Sequence, residues 1–466
     1  MSLAIDGLAS GLDTTSLINS LMTIEQQPQT LLKSKVTTTQ SFISSLQTIN
    51  GQIQNLATKA TTAAAKTSLN LWTASSSAPS VSATATVSAT PGAISFTVGS
   101  TAAAQIGVTA AMSTWPANAD GTTAPAITLV AADGTKTAVT AASTSLDDVA
   151  SAINGSAAGV KAVKVASGTA SDGTKQYRLQ LTSTTTGAAG AFSVYQGTAD
   201  QVDAGTATNV LAEPGAGIVT KASDAAVTLW AGTDAQQTIT SKSNSFTDLL
   251  PGLNITVSAT STDPVTVTVG RNTTAAAAVA SGLVDQFNAI TSYYGTATAV
   301  TTSTDSTTGA TTTTSGTLTG DATTRSAMQR LSSAMSTPVN GKSPSSIGMS
   351  INKDGTFTFD SNAFQTALAA DPAGVQSMLS GIAQNVADAA NAMSDKYTGS
   401  ITTAITGQQS VVTDLSKQIS DWDDRLAARK ASLQAVYTNL ETSLSTLKSQ
   451  SSWLTSALSG LSTSSS

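Results

Sequence analysis

The side chains that most often carry enzymatic chemistry are nearly absent from this sequence. Its 466 residues contain no His and no Cys, which removes His-assisted Ser and Cys triads, CxxC redox pairs, thiolate zinc sites and c-type haem attachment. Three Glu occur, Glu25, Glu213 and Glu441, widely scattered. A two-carboxylate site of the glycosidase kind would therefore have to be drawn from the Asp residues, and no local pattern suggests one. A Ser-Lys dyad is the other residual catalytic option. Asp133-Gly134, Asp172-Gly173 and Asp354-Gly355 lack the DxDxDG spacing and distal Glu of a calcium loop, so they are expected to be the positive-φ turns of tight hairpins. The sequons at Asn154, Asn254 and Asn272 are what chance supplies in a chain this rich in Ser and Thr. The expectation is a protein that is not an enzyme, with no catalytic residue, cofactor or metal.

Ser and Thr number 144, while charged residues make up 11% and aromatics 4%, against about 25% charged in ordinary globular chains. Hydroxyls must cover the surface. Lys and Arg number 22 against 28 Asp and Glu, a net charge of −6, so no basic surplus exists to neutralise a phosphate backbone and nucleic acid is not an expected partner. No apolar run approaches the roughly 18 residues of a membrane span, so no membrane insertion is expected. The first 30 residues carry Asp6, Asp13 and Glu25 and no Lys or Arg before Lys33, the reverse of a positively charged secretory leader. A hydroxyl-rich chain without cysteine nevertheless has the composition of something exposed outside a cell, and the two observations together point to export without a cleaved signal.

With chemistry of this kind excluded, the elements that could position a binding surface lie at the two ends. Between Gln408 and Ser459 there is neither Gly nor Pro, and Leu415, Ile419, Trp422, Leu426, Leu433, Val436, Leu440, Leu444, Leu447, Leu454 and Leu458 recur mostly at three or four. That predicts one long amphipathic helix, roughly 75 Å at about 1.5 Å per residue, and hence a coiled coil or stalk. The Leu440-Leu444-Leu447 step is a stutter that locally unwinds a supercoil. Leu46, Ile49, Ile53, Leu56 and Ala60 form a second seam, with Leu32, Phe42 and Ile43 upstream, and are expected to partner the first. A shorter helix is expected from about Thr15 to Gln26, capped by Asp13 or Thr14, with Leu17, Leu21 and Met22 on one face, and interrupted by Pro28. Gly7 and Gly11 loosen the stretch before it. The same leucines would serve an ordinary bundle core, but their breaker-free length and their placement at both termini favour an assembly element. Because neither terminal helix can bury its stripe alone and both are rich in Ser and Thr, they are expected to be partly disordered in the monomer and to order on assembly.

The middle of the chain changes period. Ile94–Val98, Tyr177–Leu181, Ile255–Val257 and Val265–Val269 alternate as half-buried strands, interrupted by a helix from Ser145 to Ile153 that Ser145 caps. Helices return after Arg271, with Val279, Leu283, Phe287, Ile290 and Tyr294 on one face, Met328, Leu331 and Met335 on another, Phe364 and Leu368 on a third, and Asp371-Pro372 starting a fourth. Residues 295–315 are nearly all Thr, Ser, Gly and Ala and are expected to be a flexible tether, and 462–466 a disordered tail. The fold class is therefore α+β and multidomain, with long terminal helices forming a coiled-coil leg and helical base, and β-rich domains inserted between them. The expected divisions are a flexible N-terminal leg at 1–42, the N-terminal helix of the base at 43–71, an inner β-rich domain at 72–100 and 246–270, an outer α+β insert at 101–245, the helical base at 271–400, and the C-terminal coiled-coil helix with its tail at 401–466.

The opening LAIDGLASGLDTTSLINSLMTIEQQPQTLL, residues 3–32, resembles the N-terminal signature of the bacterial flagellar hook-associated protein 2 family, the filament-capping proteins. The run from Pro251-Gly252-Leu253 into NITVSATSTDPVTVTVGRNT, then LVDQFNAI, LTGDATTRSAMQRL, IGMSINKDGTFTFDSNAFQTALAADPAGVQSMLSG and the C-terminal SQSSWLTSAL are similar to the same family in the same order. SLDDVASAIN through YRLQLTSTTTGAAGAFSV is similar to an insert module shared by flagellar axial proteins.

The resemblance implies a ring-like homo-oligomer at the flagellum tip, outside the cell, whose terminal segments are legs on the filament end and whose β domains form a plate. Flagellin would fold and insert beneath it. The chain would leave the cell through the flagellar type III export apparatus. Implied partners are itself, flagellin, the hook-filament junction protein, a cytoplasmic export chaperone at the C-terminal helix and, as an adhesin, host mucin. On positions that match the motif, Leu8, Gly11, Leu12, Asp13, Leu17 and Leu21 are the implied filament contacts, with Asp13 weighed as helix cap or contact. A flagellin-like or junction subunit and a secreted mucin-binding adhesin are the alternatives, with Trp72, Trp115 and Trp230 the aromatics to inspect for carbohydrate contact.

Overall fold

The computed structural model describes residues 11–118 and 124–463. Leu8 and the last three residues of the tail lie outside them. The chain divides into two compact units, one from its two ends, up to Leu69 and again from Thr273, the other from Asn70–Asn272. The fold is α+β. Helices α1 (Thr14–Glu25), α2 (Gln27–Ala64), α3 (Leu146–Gly155), α4 (Ala199–Asp203), α5 (Thr273–Thr298), α6 (Ala322–Ser336), α7 (Ser361–Ala370), α8 (Pro372–Ser394) and α9 (Ser400–Thr463) follow in that order.

In the helical unit, α2 carries the row that everything else packs around. Leu46, Ile49, Ile53 and Leu56 are wholly buried together with Leu283, Phe287 and Ile290 of α5, Leu331 of α6, Leu379, Ile382 and Val386 of α8, and Ile401 of α9. Aspartates set the helix starts: Asp13, Asp321, Asp360 and Asp371 accept from the backbone N–H three residues on, at 2.8, 2.7, 2.9 and 2.9 Å, which satisfies one orphan donor of each first turn. Pro28 and Pro372 sit in first turns where no intrahelical N–H is required. Asn288 of α5 clamps a small hairpin, its Nδ2 donating to Phe357 O at 2.7 Å and its Oδ1 accepting from Phe357 N at 2.8 Å.

Three expectations change here. The base helix begins at Gln27, not near 43, because Pro28 at once starts α2; the helix expected from Thr15 to Gln26 is α1, and residues 27–42, expected within the flexible leg, are the first part of α2. Residues 295–315 are no tether: α5 runs to Thr298, and Val300–Thr304 pairs antiparallel with Thr311–Ser315, because threonine favours strands even where nothing covers it. The expected seam-to-seam pairing holds only in part. The α2 row from Leu46 to Leu56 is taken up by the base core, and α2 lies antiparallel beside α9 from Gln29, which donates to Asp423 Oδ1 at 2.6 Å, to Asn50, which donates to Thr402 Oγ1 at 3.4 Å. Helix α9 starts at Ser400, beside the expected 401, and passes through Gly407 without a break.

In the β unit, a five-stranded antiparallel sheet runs in the order Trp72–Ser76, Ser261–Arg271, Gly92–Ser100, Ala225–Leu229, Gln237–Ser241. It shares a core with a three-stranded sheet of Ser245–Thr247, Leu253–Val257 and Val81–Ala85, through Phe96, Val227, Ile255 and Val267. A second core, around Leu129, Ile153, Leu181 and Val194, joins two four-stranded sheets and α3. Ala225–Leu229 and Gln237–Ser241, expected in the outer insert up to 245, belong to the inner sheet. Their alternation shows that they are strands but not which strand they pair with.

Gly134, Gly173 and Gly355 adopt φ of 83°, 86° and 83° in the three expected hairpin turns. The preceding aspartates are held below the ordinary carboxylate range by accepting hydrogen bonds, chiefly from the Thr135 N–H for Asp133, the Thr174 N–H for Asp172 and the Thr356 hydroxyl for Asp354. Asp305 and Asp395 are lowered in the same way, first by the N–H groups of Thr308 and Thr398. A carboxylate whose folded value lies below the unfolded 3.8 adds stability above that value and loses it as pH falls through the folded value. Acid unfolding is therefore expected to steepen below about pH 4, and Asp354→Ala to lower the stability plateau above that pH, which flattens the acid limb of the unfolding free energy against pH.

Candidate functional site

Helix α1 is amphipathic twice over. Thr14, Ile18 and Met22, spaced by four, are buried, and Ile18 and Met22 meet Leu426, Trp422, Leu433 and Tyr437 of α9. Covering two such side chains is worth about 1.5–3 kcal/mol each, so this small cluster is what holds α1 to α9. The polar contacts beside it are weaker. Arg429 lies 3.4 Å from Glu25 with both side chains largely in water, where an ion pair contributes little. Gln29 is buried and does more, donating to Asp423 and to Ile419 O while Lys33 donates to its Oε1 at 3.2 Å.

The other face of this N-terminal segment is uncovered. Leu17, Leu21, Ile24 and Leu31 are exposed, Ile24 at 70% and Leu31 at 64%, and their steps of four, three and seven make a heptad-like row with no partner among the described residues. Leu12 is also exposed, Gly11 precedes it at φ 74°, and Asp13 caps α1 through Ser16 N. Along α9 the seam changes character as it leaves the base. Leu415, Ile419, Trp422 and Leu433 are half-buried and Leu426 buried, but Val436, Leu440, Leu447, Leu454 and Leu458 are exposed, with only Leu444 half-buried between them. Trp453 is 70% exposed in the same stretch.

Of the residues expected as leg contacts, Leu17 and Leu21 lie on an exposed row of α1, Gly11, Leu12 and Asp13 precede that helix and Leu8 lies outside the described residues; the lower half of the C-terminal seam forms a second exposed row, while Leu46, Ile49, Ile53 and Leu56 are core. Leu17, Leu21 and Met22, expected on one face of α1, divide: Met22 goes inward with Ile18, and the two leucines face out. Ile18, Ile24, Leu31 and Trp453 escaped the sequence reading. The 17-21-24-31 spacing was the signal for two of them, hidden by the break at Gln26. Among the described residues no cluster of His, Cys, Asp and Glu could hold a metal ion, and no helix is long and apolar enough to cross a membrane. Trp115 is core, Trp72 lies under the Arg271 guanidinium at 4.9 Å, and Trp230 is exposed on a turn. Chemically, exposed apolar rows of this spacing can pack against the apolar face of another helix.

Comparison with known proteins points to one family. The model of the flagellar hook-associated protein 2 N-terminus matches residues 10–105 and that of its C-terminus residues 222–449, together well over half of the chain. A flagellin hook IN motif matches 126–185. Among solved structures, the D1-D2-D3 domains of the Escherichia coli flagellar cap protein FliD superpose with a TM-score of 0.57 at 22% identity, covering 78% of this chain and 99% of that one, which shows a common fold. FliD (HAP2) from Pseudomonas aeruginosa matches at 25% identity over 47% of this chain and 97% of that one, TM-score 0.35. The D2-D3 domains of the Serratia marcescens cap protein match at 27% over 40% and 97%, TM-score 0.32. No curated protein matches significantly.

Ile18→Ser with Met22→Ser is expected to free α1 from α9, seen as fast amide exchange over 14–25, whereas Leu17→Ser with Leu21→Ser leaves that exchange unchanged. Equal protection in both variants would remove the Ile18-Met22 cluster as the anchor.

Proposed function

The chain belongs to the flagellar hook-associated protein 2 family, and from that membership we infer a structural, non-enzymatic role as the cap of the bacterial flagellar filament. In the reading we propose, copies of the chain assemble at the distal end, and flagellin subunits fold and insert beneath them instead of being lost to the medium. The observation that carries the reading is the uncovered apolar surface of the terminal helices. A soluble chain gains nothing by keeping two such rows in water, and contiguous exposed apolar surface marks an interaction site.

Leu12, Leu17 and Leu21, with Gly11 and Asp13 setting the entry to α1, are the proposed filament contacts together with Val436, Leu440, Leu447, Leu454 and Leu458. Leu8 is carried by its place in the motif. Many small apolar contacts without buried ion pairs suit an interface that has to release as each subunit arrives, because breaking a buried pair leaves an uncompensated charge. The lower α9 row suits two occupants in succession, an export chaperone inside the cell and the filament outside it. Passage of an unfolded chain through the flagellar type III apparatus fits a sequence without cysteine. The hook-filament junction protein and host mucin stand as further partners of the same reading.

In a strain lacking only this gene, flagellin is expected in the culture medium instead of in filaments, and restoring the gene is expected to return it. Restoring it with Leu12→Ser and Leu17→Ser should leave the β unit folded and flagellin still in the medium. Normal filaments without the gene would refute the cap. Separately, amide exchange at 436–463 is expected to be fast in dilute monomer and slow in assembled caps.

A further inference from the structure

The strands Val300–Thr304 and Thr311–Ser315 form a two-stranded ribbon in which every residue is exposed, and among the described residues neither strand has another partner. An isolated hairpin is marginally stable at best in water and needs a further strand or an apolar face to persist. This one has no apolar face, being Thr and Ser apart from Val300. Its register runs from Val300↔Ser315 to Thr304↔Thr311 without a bulge. Gly316 donates to Ala299 O at 2.8 Å at one end and Asp305 to Ala310 O at 2.9 Å at the other. Hydrogen-bonded pairs alternate along an antiparallel ladder, so the pairs 300/315, 302/313 and 304/311 turn their N–H and C=O groups outward, along the two free edges.

Natural proteins blunt such edges with Lys, Pro, a bulge or a covering segment. The ten ladder residues have none of these, and the one charge between 300 and 315 is Asp305 in the turn. We propose that this hairpin joins copies of the chain edge to edge, the Thr311–Ser315 strand of one copy pairing antiparallel with the Val300–Thr304 strand of the next. The inference rests on the homo-oligomeric cap reading and supplies an interface separate from the terminal helices. The occupant follows from the charge. An uncharged edge meets its own copy without the like-charge repulsion that keeps edges apart, and it offers a charged partner nothing to recognise. Threonine pairs across strands are favourable in themselves, and the hairpin already makes one, Thr304 Oγ1 to Thr311 Oγ1 at 3.4 Å. Head-to-tail pairing uses one edge of each neighbour, closing a ring or extending a row, and it places each hairpin in a sheet of four or more strands.

The test uses the full-length chain. Thr302→Pro and Thr313→Pro each remove one outward N–H and no ladder bond, an edge position that proline tolerates. Thr302→Lys and Thr313→Lys block the same edges by charge if proline disturbs the turn. Sedimentation is expected to show each single variant at least about tenfold weaker in self-association than the natural chain. An equimolar mixture of a 302 and a 313 variant is expected to recover dimers and nothing larger, since each retains the edge that the other lacks. In the natural chain, amide exchange at Thr302, Thr304, Thr311 and Thr313 is expected to slow on association. Unchanged association in both variants of either edge, a mixture that fails to recover dimers, or exchange at those four amides that ignores association would each overturn the pairing. The flagellin partition in the deletion strain judges the cap reading independently of all three.

Discussion

The helical unit depends on the burial of a single row of α2. Leu46, Ile49, Ile53 and Leu56 share one core with residues of α5, α6, α8 and the first turns of α9. Removing any of the four leaves a cavity at the centre of the bundle, at a cost of about 2–5 kcal/mol. The row also explains why the terminal helices divide as they do. The core occupies α2 only from about Ile43 to Ala63, and beyond it the first part of α2 and α9 past Val412 pack, among the described residues, against each other and α1.

That division separates rigid from adaptable surface within one helix pair. Up to Leu433 the two ends of the chain cover each other through Ile18, Met22, Leu426 and the Gln29-Asp423 contact. Past Tyr437, α9 keeps its apolar period, and Leu440, Leu447, Leu454 and Leu458 are exposed. A 64-residue helix with an uncovered stripe on its far half is a poor way to stabilise a monomer and a good way to present a long, shallow contact, in which affinity comes from many side chains of a few tenths of a kcal/mol each. The hydroxyl-rich flanks keep such a surface soluble without fixing it by strong ion pairs.

Much of this was legible from local chemistry. Asp133-Gly134, Asp172-Gly173 and Asp354-Gly355 announced their turns because a positive φ has few suppliers, and Asp371-Pro372 announced a helix start because both residues solve the problem of unpaired first-turn N–H groups. The long breaker-free run gave α9. What stayed hidden depends on neighbours remote in sequence. Alternation made Ala225–Leu229 a strand but could not tell whether Gly92–Ser100 or the outer sheet would receive it. Leu17 and Ile18 are equally apolar, and only the position of Leu426 decides which of them is covered. The 300–315 hairpin was missed because a polar composition was taken to mean disorder, when threonine's branched Cβ favours an extended backbone even without burial.

The helical unit is closed by residues more than 300 positions apart. Ile53 and Ile382 belong to the same core, whereas the β unit is one uninterrupted stretch. A chain that emerges from its N-terminus can complete the β unit as soon as residue 272 is free, but it has to hold α2 open until α8 and α9 arrive. Contacts of such long separation pay their loop-closure entropy late and form slowly. The order of events is therefore written into the topology: the middle of the molecule is finished first, and the two ends, which carry the uncovered rows, become a single folded body only when the last hundred residues have been delivered.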